Sequence, residues 1–186
     1  MGAERARSKR TAMTGTVTLG VAIAIPEPHA TVLNGWRRRV GDAQADLIWP
    51  HVTLLPPTPV AAQRLDLIEE HLAAAAASRP PFVMHLSGTG TFRPVSPVVF
   101  IQVARGVSDC EVLEKSIRTG PLQRRLDFPY HPHVTVAQDV PDEALDLAYD
   151  GLSGFVARFA VDGLSLFERQ ADGKWLARTE FALGAP

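Results

Sequence analysis

Four residues of this chain have the types and spacing for acid–base chemistry on an anion: His51 with Thr53, and His133 with Thr135. They lie in Pro50-His51-Val52-Thr53-Leu54 and Pro132-His133-Val134-Thr135-Val136, one tetrapeptide written twice about eighty residues apart. An imidazole titrates near neutral pH, so it can take a proton from an attacking group or give one to a departing oxygen. A threonine hydroxyl can donate a hydrogen bond to an oxygen carrying negative charge. Two such pairs acting on one phosphate need no metal to make the nucleophile, above all if the phosphate is a strained cyclic diester.

The spacing matters because of how a strand presents its side chains. In a strand, residues i and i+2 share a face about 7 Å apart, and i+1 and i+3 share the other. Val52, Leu54, Val134 and Val136 are therefore expected in the core, leaving His51 beside Thr53 and His133 beside Thr135 on the opposite faces. His29-Ala30-Thr31 and His85-Leu86-Ser87 also have the bare pattern. His29 follows Pro26-Glu27-Pro28 at a helix start, where i and i+2 diverge by about 200°. His85 lies in a strand-like run but lacks the flanking proline, so it reads as structural. His131 reads as a turn residue that could support the site by a hydrogen bond. Arg93, Arg124, Arg125 and Tyr130 are candidates for touching a phosphate or stacking on a base.

Around these motifs the alternation of Val17, Leu19, Val21, Ile23 and Ile25 predicts a strand. A helix from His29 to about Gly41 follows, with Val32, Trp36 and Val40 as its apolar stripe and Arg37, Arg38 and Arg39 as a solvated face. After a short strand through His51 to Leu55, Thr58 and Pro59 read as the cap and first residue of a second helix, stopped by Pro80-Pro81. Phe82 to Leu86 and Val99 to Val103 alternate as two antiparallel strands. Ser108 and Glu111 have capping-box spacing ahead of a helix that ends by Gly120-Pro121. A strand through His133 to Ala137 and a helix from Pro141 to Tyr149 come next. Phe155 to Val161 and Trp175 to Phe181 read as a closing hairpin, with Ala171-Asp172-Gly173 in its connection. Helices and short strands intermix without regular βα alternation, so the class is α+β rather than doubly wound.

With its 186 residues the chain has room for one well-buried domain. A net charge of −1 gives no broad footprint for duplex nucleic acid, and a short anionic ligand fits better. No apolar run is long enough to span a bilayer, so a soluble, cytoplasmic protein is expected. Cys110, the single cysteine, excludes an internal disulfide and a multi-cysteine zinc site. Residues 1–14, basic through Arg5, Arg7, Lys9 and Arg10, read as a disordered tail, and 15–186 as one domain.

The paired motifs, their separation and the Tyr130-His131-Pro132-His133 approach resemble the two-histidine (2H) phosphoesterase superfamily, in its 2′-5′ RNA ligase-like and cyclic phosphodiesterase branch. The resemblance runs from about Thr16 to Leu183. It implies a bilobal α+β fold, two pseudo-symmetric lobes of antiparallel strands with outer helices around a central cleft. It also implies catalytic roles for His51 and His133 and phosphate binding by Thr53 and Thr135. The chain departs from the pattern at Ala137-Gln138, where an arginine often follows the second motif, and at Pro56-Pro57 after the first.

The expectation is metal-independent hydrolysis of 2′,3′-cyclic phosphodiesters on RNA 3′ ends or small nucleotides, by a monomer that needs no cofactor. ADP-ribose cyclic phosphate and linear 2′-5′ oligonucleotides are the second-choice substrates. Alternatives are 2′-5′ RNA ligase activity at the same site, a non-catalytic module that retains nucleotides or RNA ends, and a metal site on His51, His131 and His133, for which neither motif supplies a carboxylate.

Overall fold

The computed structural model describes residues 15–184; the basic tail expected at 1–14 lies outside them. The chain runs β1 (Thr16–Ala24), α1 (His29–Arg39), β2 (His51–Ala61), α2 (Leu65–Ala77), β3 (Phe82–Thr91) and β4 (Val98–Arg105). It continues through α3 (Val107–Ile117), β5 (His133–Gln138), α4 (Asp142–Gly151), β6 (Val156–Val161), β7 (Gly163–Arg169) and β8 (Trp175–Ala182). Two four-stranded sheets result, ordered β2-β1-β7-β8 and β5-β4-β3-β6, and every pairing is antiparallel. The α+β class is as expected.

The two sheets have the same plan. In each, a strand–helix–strand–helix run supplies an edge strand carrying one motif and its inner neighbour: β1-α1-β2-α2 in the first and β4-α3-β5-α4 in the second. The helix inside each run reaches across to the other motif strand, α1 to β5 and α3 to β2. Leu33 of α1 and Cys110, Leu113 and Ile117 of α3 are fully buried there. Each large apolar side chain so buried contributes roughly 1.5–3 kcal/mol, so the crossed helices hold the two edge strands near one another.

Five details differ from the sequence expectation. The buried face of α1 is Ala30, Leu33, Asn34 and Arg37, while Val32 is 47% exposed. Arg37 is thus a core residue, because Asp42 neutralises it. Thr58 and Pro59 do not start a helix; they extend β2 to Ala61, paired with Leu19 and Thr18 of β1. Prolines are tolerated there because β2 is an edge strand with no outer neighbour to receive an N–H. The first residue before α3 is Gly106, left-handed at φ 95°, where a Cβ would lie 3.0 Å from the Phe82 ring; Ser108 and Glu111 form no cap. The closing hairpin joins β7 to β8, whereas β6 pairs with β3 in the other sheet. β7 has no period in the sequence because Leu164, Ser165 and Leu166 are all buried, which erases alternation. Ala171-Asp172-Gly173 does fall in the hairpin turn, closed by Gln170 N–H on the Lys174 carbonyl at 2.7 Å.

Candidate active site

The two motif strands are locally alike beyond their shared letters. His51 to Leu55 and His133 to Ala137 have the same burial order: histidine and threonine half-buried, the next residues in the core. Val52, Leu54, Val134 and Val136 are essentially inaccessible, as alternation requires. Both strands also carry a bulge one residue beyond the threonine. Val21 faces Leu55 and Ala22 faces Thr53, so Leu54 is extra. Val99 faces Ala137 and Phe100 faces Thr135, so Val136 is extra. A bulge bends its strand and sharpens the local twist, and here it acts at the same point of each motif. The signal in the sequence is two apolar residues in a row after each threonine, Leu54-Leu55 and Val136-Ala137, both buried.

The strands converge. β2 and β5, the edges of their sheets, approach one another. The Tyr130 hydroxyl donates to the Thr53 carbonyl at 2.9 Å, tying the approach to the second motif onto the first. Arg124 Nη1 donates to Thr58 Oγ1 at 3.0 Å nearby. The imidazoles are close enough that charge on His133 disfavours charge on His51.

Each imidazole is oriented in the same way. His51 Nδ1 lies 2.8 Å from the Trp49 carbonyl, and His133 Nδ1 lies 2.6 Å from the His131 carbonyl. A carbonyl only accepts, so Nδ1 carries the hydrogen and the neutral ring keeps a free lone pair on Nε2. Burial lowers the pKa of both rings. For His51 it is the main cause, helped by the charges of Arg37 and His133 and opposed by the Trp49 carbonyl, and the result is about 4. For His133 burial again leads, opposed by the His131 carbonyl and reinforced by the His131 ring. Both sites therefore favour neutral rings at pH 7.

The surroundings then diverge. His51 and Thr53 open on a hollow of about 180 Å³ shared with Gln44, Phe167, Trp175 and, from the other sheet, Gln138. His133 opens on a separate hollow of about 430 Å³ lined by Phe92, Val95, Phe128, Pro129 and His131. Phe92 and Phe100 hold the His133 ring at centroid distances of 5.0 and 5.1 Å, and His131 stacks on it at 6.1 Å. Thr135 is half-buried on β5 and lines neither hollow.

Arg37 was missed as a site residue. It is 4% exposed, with Nε on Asp42 Oδ2 at 3.0 Å and Nη1 on the Ile48 carbonyl at 2.6 Å. Asp42 also accepts from Gln44 N–H at 2.8 Å, so the pair fastens the segment leading into His51. No repeat or alternation marks such a residue.

The remaining candidates line neither hollow. Arg93 is paired with Asp146 at 2.8 Å and Asp142 at 3.8 Å, and Arg125 is exposed. His29 packs on the Phe155 and Phe159 rings, and His85 lies on β3 opposite Arg105 and Arg158. Cys110 is buried in α3, its thiol pushed up to about 12 by burial and then by Asp109 and Glu111, so it is no nucleophile. Among the described residues no three His, Cys, Asp or Glu side chains gather as a metal site, and no helix is long and apolar enough to cross a membrane.

Comparison with known proteins agrees with this architecture. Residues 25–173 match the model of the 2′-5′ RNA ligase superfamily, and the chain belongs to that family of two-histidine phosphoesterases. It is 29% identical over 174 residues to the protein named "Putative phosphoesterase BH1439" of Halalkalibacterium halodurans, covering 89% of this chain and 96% of that one. A similarly named phosphoesterase of Bacillus mycoides is 27% identical over 168 residues, with the same coverage. In fold, the chain is similar to Escherichia coli LigT in its complex with 3′-AMP, with a TM-score of 0.67, 20% identity, and coverage of 91% of this chain and 99% of LigT. TT0787 of Thermus thermophilus superposes with a TM-score of 0.59 at 21% identity, covering 90% and 98%.

Proposed function

We propose that this member of the 2′-5′ RNA ligase superfamily hydrolyses 2′,3′-cyclic phosphodiesters at RNA 3′ ends or on nucleotides, using His51 and His133 as its acid–base pair without a metal. The observation that carries the reading is the duplicated imidazole: two bulged edge strands converge, each with Nδ1 tied to the carbonyl two residues earlier and Nε2 free. A phosphoryl group between the strands would meet an Nε2 from either side. In this reading Thr53, from the wall of the His51 hollow, and Thr135, from β5, donate hydrogen bonds to its non-bridging oxygens.

The local fields divide the roles. Burial first, and then the Arg37 charge, lowers the His51 pKa to about 4, so in this reading it is the neutral ring that accepts a proton from water. His133 has no guanidinium among the causes of its shift. A bound anion favours its protonation, and it delivers the proton to the departing sugar oxygen as the ring opens. The apolar, ring-lined hollow beside His133 suits a nucleobase stacked next to the reacting phosphate. That LigT is seen in complexes with 3′-AMP, ATP and NADP+ supports nucleotides as the ligand class.

The test incubates wild type, His51→Ala and His133→Ala with 2′,3′-cyclic nucleotides and short cyclic-phosphate RNAs in chelator, following the phosphorus resonances. Ring opening by wild type alone supports the reading, and equal turnover by all three refutes it.

A further inference from the structure

The charge balance of the site points to a selectivity that the family assignment leaves open. Neither hollow has a lysine or arginine among its lining residues. Arg37, whose field reaches His51, is buried and neutralised by Asp42. Arg93 is engaged by Asp146 and Arg118 by Glu114, and Arg124, bonded to Thr58 Oγ1, lines neither hollow. Among the described residues, the polar side chains that line the His51 hollow are Thr53, with its hydroxyl, Gln44 and Gln138, with their amides, and His51, whose ring, like that of His133, favours the neutral form.

From this we infer that the site selects a phosphate bearing one negative charge over one bearing two, with Gln138 as a specificity-determining residue. The inference rests on the reading of this site as the phosphate site. Desolvating an anion costs roughly in proportion to the square of its charge, so a dianion costs about four times as much as a monoanion. Neutral dipoles, with the single positive charge that protonation of His133 supplies, recover the cost of the first charge far better than that of the second. A cyclic or linear phosphodiester is singly charged at any pH near neutral, whereas a monoester loses its second proton with a pKa of about 6.

The same property helps turnover. Adding water to the singly charged cyclic diester breaks one P–O ester bond and forms a singly charged monoester. That product then releases a proton above about pH 6. The doubly charged product is the species this site holds least well.

The experiment compares deoxyadenosine 3′-phosphate with its methyl ester, deoxyadenosine 3′-methylphosphate, neither of which has a 2′-hydroxyl with which to cyclise. Dissociation constants are measured at pH 5 and pH 8 while the His51 and His133 imidazole resonances report where each ligand sits. The methyl ester keeps one charge throughout, so it corrects for titration of the protein. The ratio of monoester to diester constants should rise at least tenfold from pH 5 to pH 8. In Gln138→Arg that rise should fall below threefold, through tighter monoester binding at pH 8. A wild-type ratio that stays level or falls overturns the selectivity while leaving the site intact. Failure of both ligands to disturb either imidazole overturns the selectivity and the proposed site together.

Discussion

The two motif strands share a sequence, a burial order, a bulge and an imidazole anchor, yet the first imidazole lies in the field of a buried ion pair and the second is packed by Phe92 and Phe100. On β2 His51 feels the charge of Arg37, itself paired with Asp42, and opens on a largely apolar hollow that holds the Gln44 and Gln138 amides beside Phe167 and Trp175. On β5 they are Phe92, Phe100 and the stacked His131. Duplication therefore fixes where each imidazole stands, and in the proposed mechanism the unrelated residues around it set which way a proton moves.

Removing either imidazole should break the comparison most severely. His51→Ala and His133→Ala should each lower kcat/KM by about 10²–10⁴-fold, and the double variant should be little worse than the poorer single one, because the pair acts as a unit. Profiles of kcat/KM against pH would sharpen the division of roles. Wild type should give a bell whose acid limb lies near pH 4, where His51 becomes protonated, and whose alkaline limb lies below pH 6.5, where His133 loses its proton. His51→Ala should lose the acid limb and His133→Ala the alkaline one.

Next in size is the charged pair found only on the β2 side. Arg37→Met leaves Asp42 buried without its partner and should cost about 3–5 kcal/mol in urea unfolding. Replacing both, Arg37→Met with Asp42→Leu, should recover most of that loss. In the double variant a charge that lowers the His51 pKa is gone, so the acid limb should move to higher pH, while a limb that stays at about 4 would deny Arg37 its electrostatic part.

On the β5 side, Phe128 is 70% exposed and Val95 76%, both lining the hollow beside His133. Phe128→Ala should raise KM for nucleotide substrates by about tenfold, in line with one lost base stack, without changing the melting temperature. An unchanged KM would show that this hollow does not hold a base. The smallest effect is expected where the two sides are tied. Tyr130→Phe removes the bond to the Thr53 carbonyl and should cost about 0.5–1.5 kcal/mol of stability, measurable by denaturant titration.

Much of the site was legible because alternation in an edge strand is a local property. The placement of Val52, Leu54, Val134 and Val136 in the core follows from their spacing alone. Arg37 was hidden because a buried guanidinium looks like a solvated one until Asp42, five residues on, folds back on it. The bulges at Leu54 and Val136 were visible as paired apolar residues, yet their register depends on β1 and β4. β7 was lost for a related reason: an inner strand between β1 and β8 buries successive side chains and shows no period. The prolines of β2 read as a helix start because only its place at the sheet edge makes them compatible with a strand.

The central claim is that both imidazoles act on one phosphate. Its most direct measurement is a nitrogen-15 titration of the histidine side chains with deoxyadenosine 3′-methylphosphate. The account predicts that Nε2 of His51 and Nε2 of His133 shift along a single saturation curve at one ligand per chain. Movement of one ring alone, or two rings saturating at different ligand concentrations, would contradict it.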